Sequence, residues 1–246
     1  MKKFIVFSII MVLSVQNAYA LPSDNFDDNS RDASLWNCYE DNPSNAWLEE
    51  TNGRLEFQSI VEGDDVAAFY YSNGWGLSLA ENFSLKIEFH HKLDDFEAYN
   101  DTSVSFGLGI DSENSIIIGA GYFDDLSDLW YELTTDDEDV EGDFIERTIE
   151  TGFFYISYDA SDEELYLSTT GYGQDDAWVT IEGSLLWDAQ VLGIFFGGDS
   201  SISTLNSGDA WLDNFVIDSG SAVFIPEPAT ICLLAFGSLA FAIKKK

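Results

Sequence analysis

The chain is poor in positive charge: 10 of its 246 residues are Lys or Arg against 45 Asp or Glu, giving a formal net charge of −35 at pH 7. Nucleic acid and anionic membrane surfaces are thereby disfavoured as partners, because binding either relies on neutralising phosphate charge. Cysteine is scarce as well. Cys38 lies in the body of the chain and Cys232 in an apolar C-terminal run, so the two form no disulfide within a domain. Cys38 reads as a buried small hydrophobe and not as a reactive thiol. His90 and His91 are the only histidines. As strand neighbours they point to opposite faces, which leaves Ser/His/Asp catalysis unsupported; the expectation is His90 at the surface and His91 partly buried. Amphipathic helical stretches are missing between the apolar runs, which excludes a parallel α/β fold. A fixed-period repeat, which a solenoid requires, is missing too. Disorder is excluded for the opposite reason: 46% hydrophobic and 15% aromatic residues supply enough apolar surface for a packed core.

Each end of the chain carries a long apolar run. Lys2-Lys3, the apolar residues 4–15 and then Ala18-Tyr19-Ala20 form a basic region, a hydrophobic region and a small-x-small cleavage site. Residues 1–20 are therefore expected to be a signal peptide, cut after Ala20. At the other end Pro226-Glu227-Pro228 leads into the uncharged stretch 229–243 and closes on Lys244, Lys245 and Lys246. As a helix this stretch reaches roughly 22 Å, short of the ~30 Å hydrocarbon core. It spans only with the lysines snorkelling to the cytoplasmic interface. This order of parts resembles the PEP-CTERM sorting signal, although the family's basic cluster is usually arginine-rich and here it is all lysine. The resemblance implies recognition by an exosortase in the inner membrane of a Gram-negative bacterium and cleavage near the triplet. The precursor would contact that membrane only transiently. Its destination would be the cell surface, the outer membrane or an extracellular matrix of exopolysaccharide and biofilm.

Between the signal peptide and the sorting segment 223–246 lies one domain, residues 21–222. Five basic residues and 44 acids fall between Leu21 and Ile225, so the exported part carries −39. Self-repulsion on that scale makes bound Ca²⁺ a plausible compensation. Asn52-Gly53 signals a turn before the alternating Arg54-Leu55-Glu56-Phe57-Gln58. Residues 83–90 alternate apolar and polar without a break, and 104–110 with 115–123 read as a hairpin. A second hairpin joins 153–158 to 165–169 across the polar residues 159–164, and 144–151 and 210–217 read as further strands. Short strands with Gly and Asp-Ser punctuation, all in one domain, indicate an all-β fold, an antiparallel β-sandwich.

Asp24-Asn25-Phe26-Asp27-Asp28, Trp36, Gly53-Arg54-Leu55-Glu56-Phe57 and the closing Ala210-Trp211-Leu212-Asp213-Asn214-Phe215 resemble the concanavalin A-like lectin/glucanase jelly rolls. The resemblance implies neighbouring first and last strands, with a structural Ca²⁺ between Asp24 or Asp27 and Asp213. It also raises glycoside hydrolysis, which needs two placed carboxyls. The acidic stretch 136–143 lacks the Glu-x-Asp-x-x-Glu spacing of retaining glucanases and reads as a loop. Within it Asp137, Asp139, Glu141 and Gly142 imitate an EF-hand loop, but Thr148 stands where Glu is needed. Glu146 and Glu150 could share a strand face, yet nothing marks a cleft around them. Carbohydrate binding asks for exposed aromatics with polar neighbours. The candidates are Trp75, Trp130 and Tyr131, with Tyr172 and Trp178 behind them; Trp36 and Trp211 are expected in the core. The resulting expectation is an exported, non-catalytic polysaccharide-binding protein. The alternatives are a structural or adhesive matrix protein without a sugar site and a glycoside hydrolase.

Overall fold

Alternation sets the architecture. In Phe83–His91 every second residue, Phe83, Leu85, Ile87, Phe89 and His91, is buried, while Ser84, Lys86, Glu88 and His90 are half-exposed. Such a strand buries one face, and it needs a second layer to bury it against. The computed structural model describes residues 21–60, 66–93, 102–111, 114–123, 126–135, 138–183, 190–201 and 204–224. The signal segment with Ala18 and Ala20, and the tail with Pro226, Glu227, Pro228, the stretch 229–243 and Lys244, Lys245 and Lys246, lie outside the described residues. The elements among those described are strands, with no helix long and apolar enough to cross a membrane.

In chain order the strands are β1 (Ser23–Asp24), β2 (Trp36–Glu40), β3 (Ala46–Thr51), β4 (Arg54–Ser59), β5 (Val66–Ser72), β6 (Trp75–Ser78), β7 (Phe83–His91), β8 (Thr102–Gly109) and β9 (Ser115–Phe123). They continue with β10 (Leu126–Thr135), β11 (Glu138–Glu146), β12 (Thr151–Asp159), β13 (Glu164–Ser168), β14 (Val179–Glu182), β15 (Val191–Ser200), β16 (Ala210–Ser219) and β17 (Ala222–Phe224). An eight-stranded sheet runs β14-β13-β12-β7-β16-β4-β3, with β1 on β16. A nine-stranded sheet runs β11-β10-β9-β8-β15-β5-β2, with β6 on β15 and β17 on β6. Every pairing among the described strands is antiparallel, as the β-sandwich expectation requires.

Both expected hairpins form, β8 with β9 and β12 with β13. Asn52 and Gly53 take φ of 56° and 70° between β3 and β4. Two left-handed residues make the turn whose twist matches a hairpin, and Asn-Gly is the pair that adopts it at least cost. The first strand pairs with the last, Ser23 opposite Val216 and Asp24 opposite Phe215.

Two expectations about strands need correction. Residues 144–151 do not form one strand: β11 ends at Glu146 and β12 begins at Thr151. Of the acidic stretch read as a loop, 136 and 137 lie outside the described residues and 138–143 belong to β11, paired along β10 from Thr135↔Glu138 to Asp128↔Glu146. Asp139, Glu141 and Gly142 thus sit on a strand, and Glu146 ends it while Glu150 lies beyond. An edge strand needs no apolar face of its own, and charge along it discourages pairing with another chain.

The core is aromatic at its centre. Trp36 of β2 packs edge-on against Phe196 at 4.7 Å, Phe215 at 5.2 Å and Trp75 at 5.3 Å, joining the two sheets. Its indole N–H donates to Asp24 Oδ2 at 2.9 Å. His91, expected to be partly buried, is fully buried. Arg147 is buried beside it, donating to the His91 carbonyl at 2.9 Å and lying 3.2 Å from His91 Nδ1. Burial and the Arg147 charge push the imidazole down to about 3, so it stays neutral.

Candidate functional site

The outer face of the nine-stranded sheet is where aromatic side chains meet an open groove. Its middle strands carry glycine or serine at alternate positions: Ser103, Ser105, Gly107 and Gly109 on β8, Gly119 and Gly121 on β9, Gly193 and Gly197 on β15. Glycine inside a strand marks a place where something approaches closely. Here aromatic rings do. A Cβ on Gly107 would stand 2.5 Å from the Phe195 ring, and one on Gly119 would stand 2.4 Å from the Trp130 indole.

Register fixes the rows. One row crosses the sheet as Trp130, Gly119, Ser105, Gly197, Phe69 and Tyr39. The next runs Ile117, Gly107, Phe195, Tyr71. Phe69 and Phe195 meet edge-on at 6.2 Å. The groove above this floor has a volume of about 930 Å³ and reaches from Tyr39, Phe69 and Tyr71 to Phe195, Ile110 and Phe224. Tyr39 is 51% exposed and Tyr71 43%. Large apolar surface exposed at this level marks an interaction site more often than a free surface. The lining includes one carboxylate, Asp111, and no basic side chain. Polar groups sit at its margin: the Tyr39 hydroxyl donates to Asp41 Oδ1 at 3.1 Å, and Ser72 and Ser115 line the wall.

The sequence candidates divide. Trp75 lines the groove but is nearly buried, packed on Trp36, with its indole N–H on the Leu35 carbonyl at 2.8 Å. It is a wall and not a platform. Trp130 lies half-exposed on the same outer face. Tyr131 is corrected: it faces inward, 7% exposed, and packs edge-on against Trp178. Trp178 itself packs against the core. Tyr172 stands on the other sheet, edge-on to Tyr155 at 5.0 Å, with its hydroxyl on Asp218. Trp211, expected in the core, is half-exposed on that sheet's outer face, stacked on His90 at 5.1 Å and under Arg54 at 5.0 Å. The groove residues Tyr39, Phe69, Tyr71 and Phe195 were not singled out from sequence; the alternate glycines of β8, β9 and β15 were the available signal.

The acidic residues divide as well. Among the described residues no group of three or more His, Cys, Asp or Glu is arranged to hold a metal ion. Asp24 is held by Trp36 and by the Phe26 amide. Asp213 is pushed up to about 6 by burial and then by the charges of Glu88 and Asp27. The charge of Asp27 thus reaches Asp213, whereas Asp24, although its strand lies on β16 opposite Phe215, commits its carboxylate to Trp36 and Phe26. Glu150 is committed to the Leu93 amide at 3.0 Å. Glu50 of β3 faces the interior, 7% exposed, with its carboxylate beside the Tyr70 side chain and the Ser30 backbone. Burial and the charge of Asp24 push it up to about 7. Cys38, also turned inward, is pushed up to about 11 by burial and by Glu40, which leaves its thiol inert.

Two stacked antiparallel sheets in this order form a β-sandwich whose fold resembles that of the concanavalin A-like lectin/glucanase jelly rolls. Solved structures of similar fold include lectin II from Ulex europaeus, 12% identical with a TM-score of 0.52, over 82% of this chain and 98% of that one. A β-1,3-glucanase from Mycobacterium marinum is 11% identical with a TM-score of 0.54, over 85% of this chain and 100% of that one. The potassium-bound carbohydrate recognition domain of Emp46p is 12% identical with a TM-score of 0.51, over 80% and 94%. At such identities the likeness is one of fold. No curated protein sequence matches the chain. Residues 224–246 match the PEP-CTERM protein-sorting motif. The chain therefore carries the signal of a membrane-anchored precursor that exosortase sorts to the cell surface in Gram-negative bacteria.

Proposed function

We propose that the protein is a non-catalytic polysaccharide-binding component of the cell surface or extracellular matrix, and that it holds its ligand in the groove of the nine-stranded sheet. The observation that carries this reading is the cluster of half-exposed and exposed aromatics, Tyr39 and Phe69 in one row and Tyr71 and Phe195 in the next, on a glycine floor with hydroxyls at the margin. Sugar rings stack their C–H faces on such surfaces while their hydroxyls meet the polar rim. A lining with one carboxylate in a domain of −39 favours an uncharged polysaccharide, because an anionic chain would be repelled on approach.

Hydrolysis by the two-carboxylate route needs acids about 5–10 Å apart across the substrate. Asp111 alone among the groove's lining residues supplies one, so the reading stays with binding. Calcium enters only at Asp213, where a cation would relieve the repulsion from Glu88 and Asp27. The test of function is a pull-down of residues 21–225 on insoluble β-1,3-glucan and on a galactose polymer, since proteins of similar fold include a β-1,3-glucanase and a lectin complexed with galactose. Retention on either, lost on competition with the soluble sugar, supports binding. No retention on any polysaccharide tried turns the reading to a structural or adhesive role.

A further inference from the structure

The last described strand places the start of the sorting tail in the wall of the groove. β17 pairs with β6, Ala222 opposite Leu77, Val223 opposite Gly76 and Phe224 opposite Trp75. β6 in turn pairs with β15 through Val191↔Ser78 and Leu192↔Leu77. This flap is tightly seated, since a Cβ on Gly76 would stand 2.3 Å from the Leu192 carbonyl oxygen. Phe224 is both the first residue of the sorting motif and a lining residue of the groove.

From Phe224 to the start of the uncharged stretch at Ala229 there are five residue steps. Fully extended they reach at most about 18 Å. A domain of this length is roughly 40 Å across. In the anchored precursor the leash is therefore too short to turn the opposite face of the sandwich towards the membrane. The face within reach carries Phe224 at 63% exposure, Ile110 and Tyr39 at 51% and Tyr71 at 43%. Tyrosine and apolar side chains of this kind settle at the headgroup level of a bilayer. The groove's lining holds one carboxylate, Asp111, so the contacting surface itself carries little of the domain's negative charge to be repelled by lipid headgroups. Tethering raises the effective concentration of the patch at the surface, so weak contact suffices.

We propose that in the precursor the groove rests against the lipid surface, closed to polysaccharide, and that cutting the tail opens it. The inference rests on the groove being the polysaccharide site, and its test separates the two. The full chain is reconstituted in nanodiscs of zwitterionic lipid, alongside the same chain with 20 Gly/Ser residues inserted after Ile225. Soluble β-1,3-glucan and the galactose polymer serve as probes, and hydrogen exchange is followed for peptides containing Ile110 and Phe224. The expected result is at least tenfold weaker sugar binding for the native-length precursor, with those peptides protected relative to the inserted chain. Equal binding and equal exchange in both chains would overturn the proposal. If neither chain nor residues 21–225 bind a sugar, the polysaccharide reading has failed. The exchange comparison then still decides the membrane contact, protection supporting it and equality refuting it.

Discussion

The outer faces of the two sheets are both rich in aromatics, yet they use them differently. On the eight-stranded sheet Trp211, Phe153 and Tyr172 are each answered by a neighbour from the same chain. Trp211 stacks on His90 and lies under Arg54, Lys86 covers Phe153 at 5.9 Å, and Tyr172 meets Tyr155 and Asp218. Arg54 also pairs with Glu56 at 2.9 Å and Lys86 with Asp218 at 3.3 Å. Two of the domain's five basic residues are spent on that face. On the nine-stranded sheet the rings of Phe195 and Trp130 rest on glycines, and the groove lining supplies no cation. An aromatic surface completed by its own side chains stabilises the fold, whereas one lying on glycine and open above is available to a ligand.

That contrast can be broken in steps. Replacing Tyr71 and Phe195 together by Ala should weaken polysaccharide binding at least thirtyfold, about 2 kcal/mol, because both rings line the groove. Affinity electrophoresis would measure it, and unchanged mobility would erase the distinction between the faces. Trp211→Ala should do the reverse. Loss of the His90 stack and the Arg54 contact should cost about 1–2 kcal/mol of stability, read by urea unfolding, with binding unaltered.

The next test is electrostatic. Burial holds Glu50 up to about 7, and burial with neighbouring acids holds Asp213 up to about 6. Between the ordinary carboxylate range and these values the native state keeps protons that the unfolded chain has released, so stability falls as pH rises through about 4.5 to 7. The melting temperature should therefore be higher at pH 5.5 than at pH 7.5. Glu50→Gln should flatten the difference and add about 1 kcal/mol at the higher pH. The smallest effect expected is a rise of a few degrees in melting temperature on moving from EDTA to millimolar Ca²⁺, through Asp213. No rise would withdraw calcium from the account.

Much of the architecture was legible because the strands that bury one face advertise it. Phe83–His91 and the hairpin around residues 159–164 could be traced by alternation alone. The edge was not. β11 is paired on one side and exposed where its side chains are described, so no apolar alternation was required of it and its acids imitated a loop. β10 beside it also went unread, although Leu129, Tyr131 and Leu133 turn inward. For the site, attention went to tryptophans, the largest stacking residues. Trp75 and Trp178 proved to be packed against the interior, because a side chain of that size near a sheet edge is worth more buried. Trp211 went the other way: its strand parity turns it outward with Asp213, while Leu212 and Phe215 turn in. The shift of register between Asp213 and Val216, with Asn214 at φ 52°, is a bulge that no local pattern announces.

The most direct measurement is hydrogen exchange of residues 21–225 with and without a saturating polysaccharide. The account predicts protection confined to peptides carrying Tyr39, Phe69 to Tyr71 and Gly193 to Gly197, with the strands around His90, Tyr155 and Trp211 unchanged. Protection centred on those latter strands, with the groove peptides exchanging as before, would contradict it.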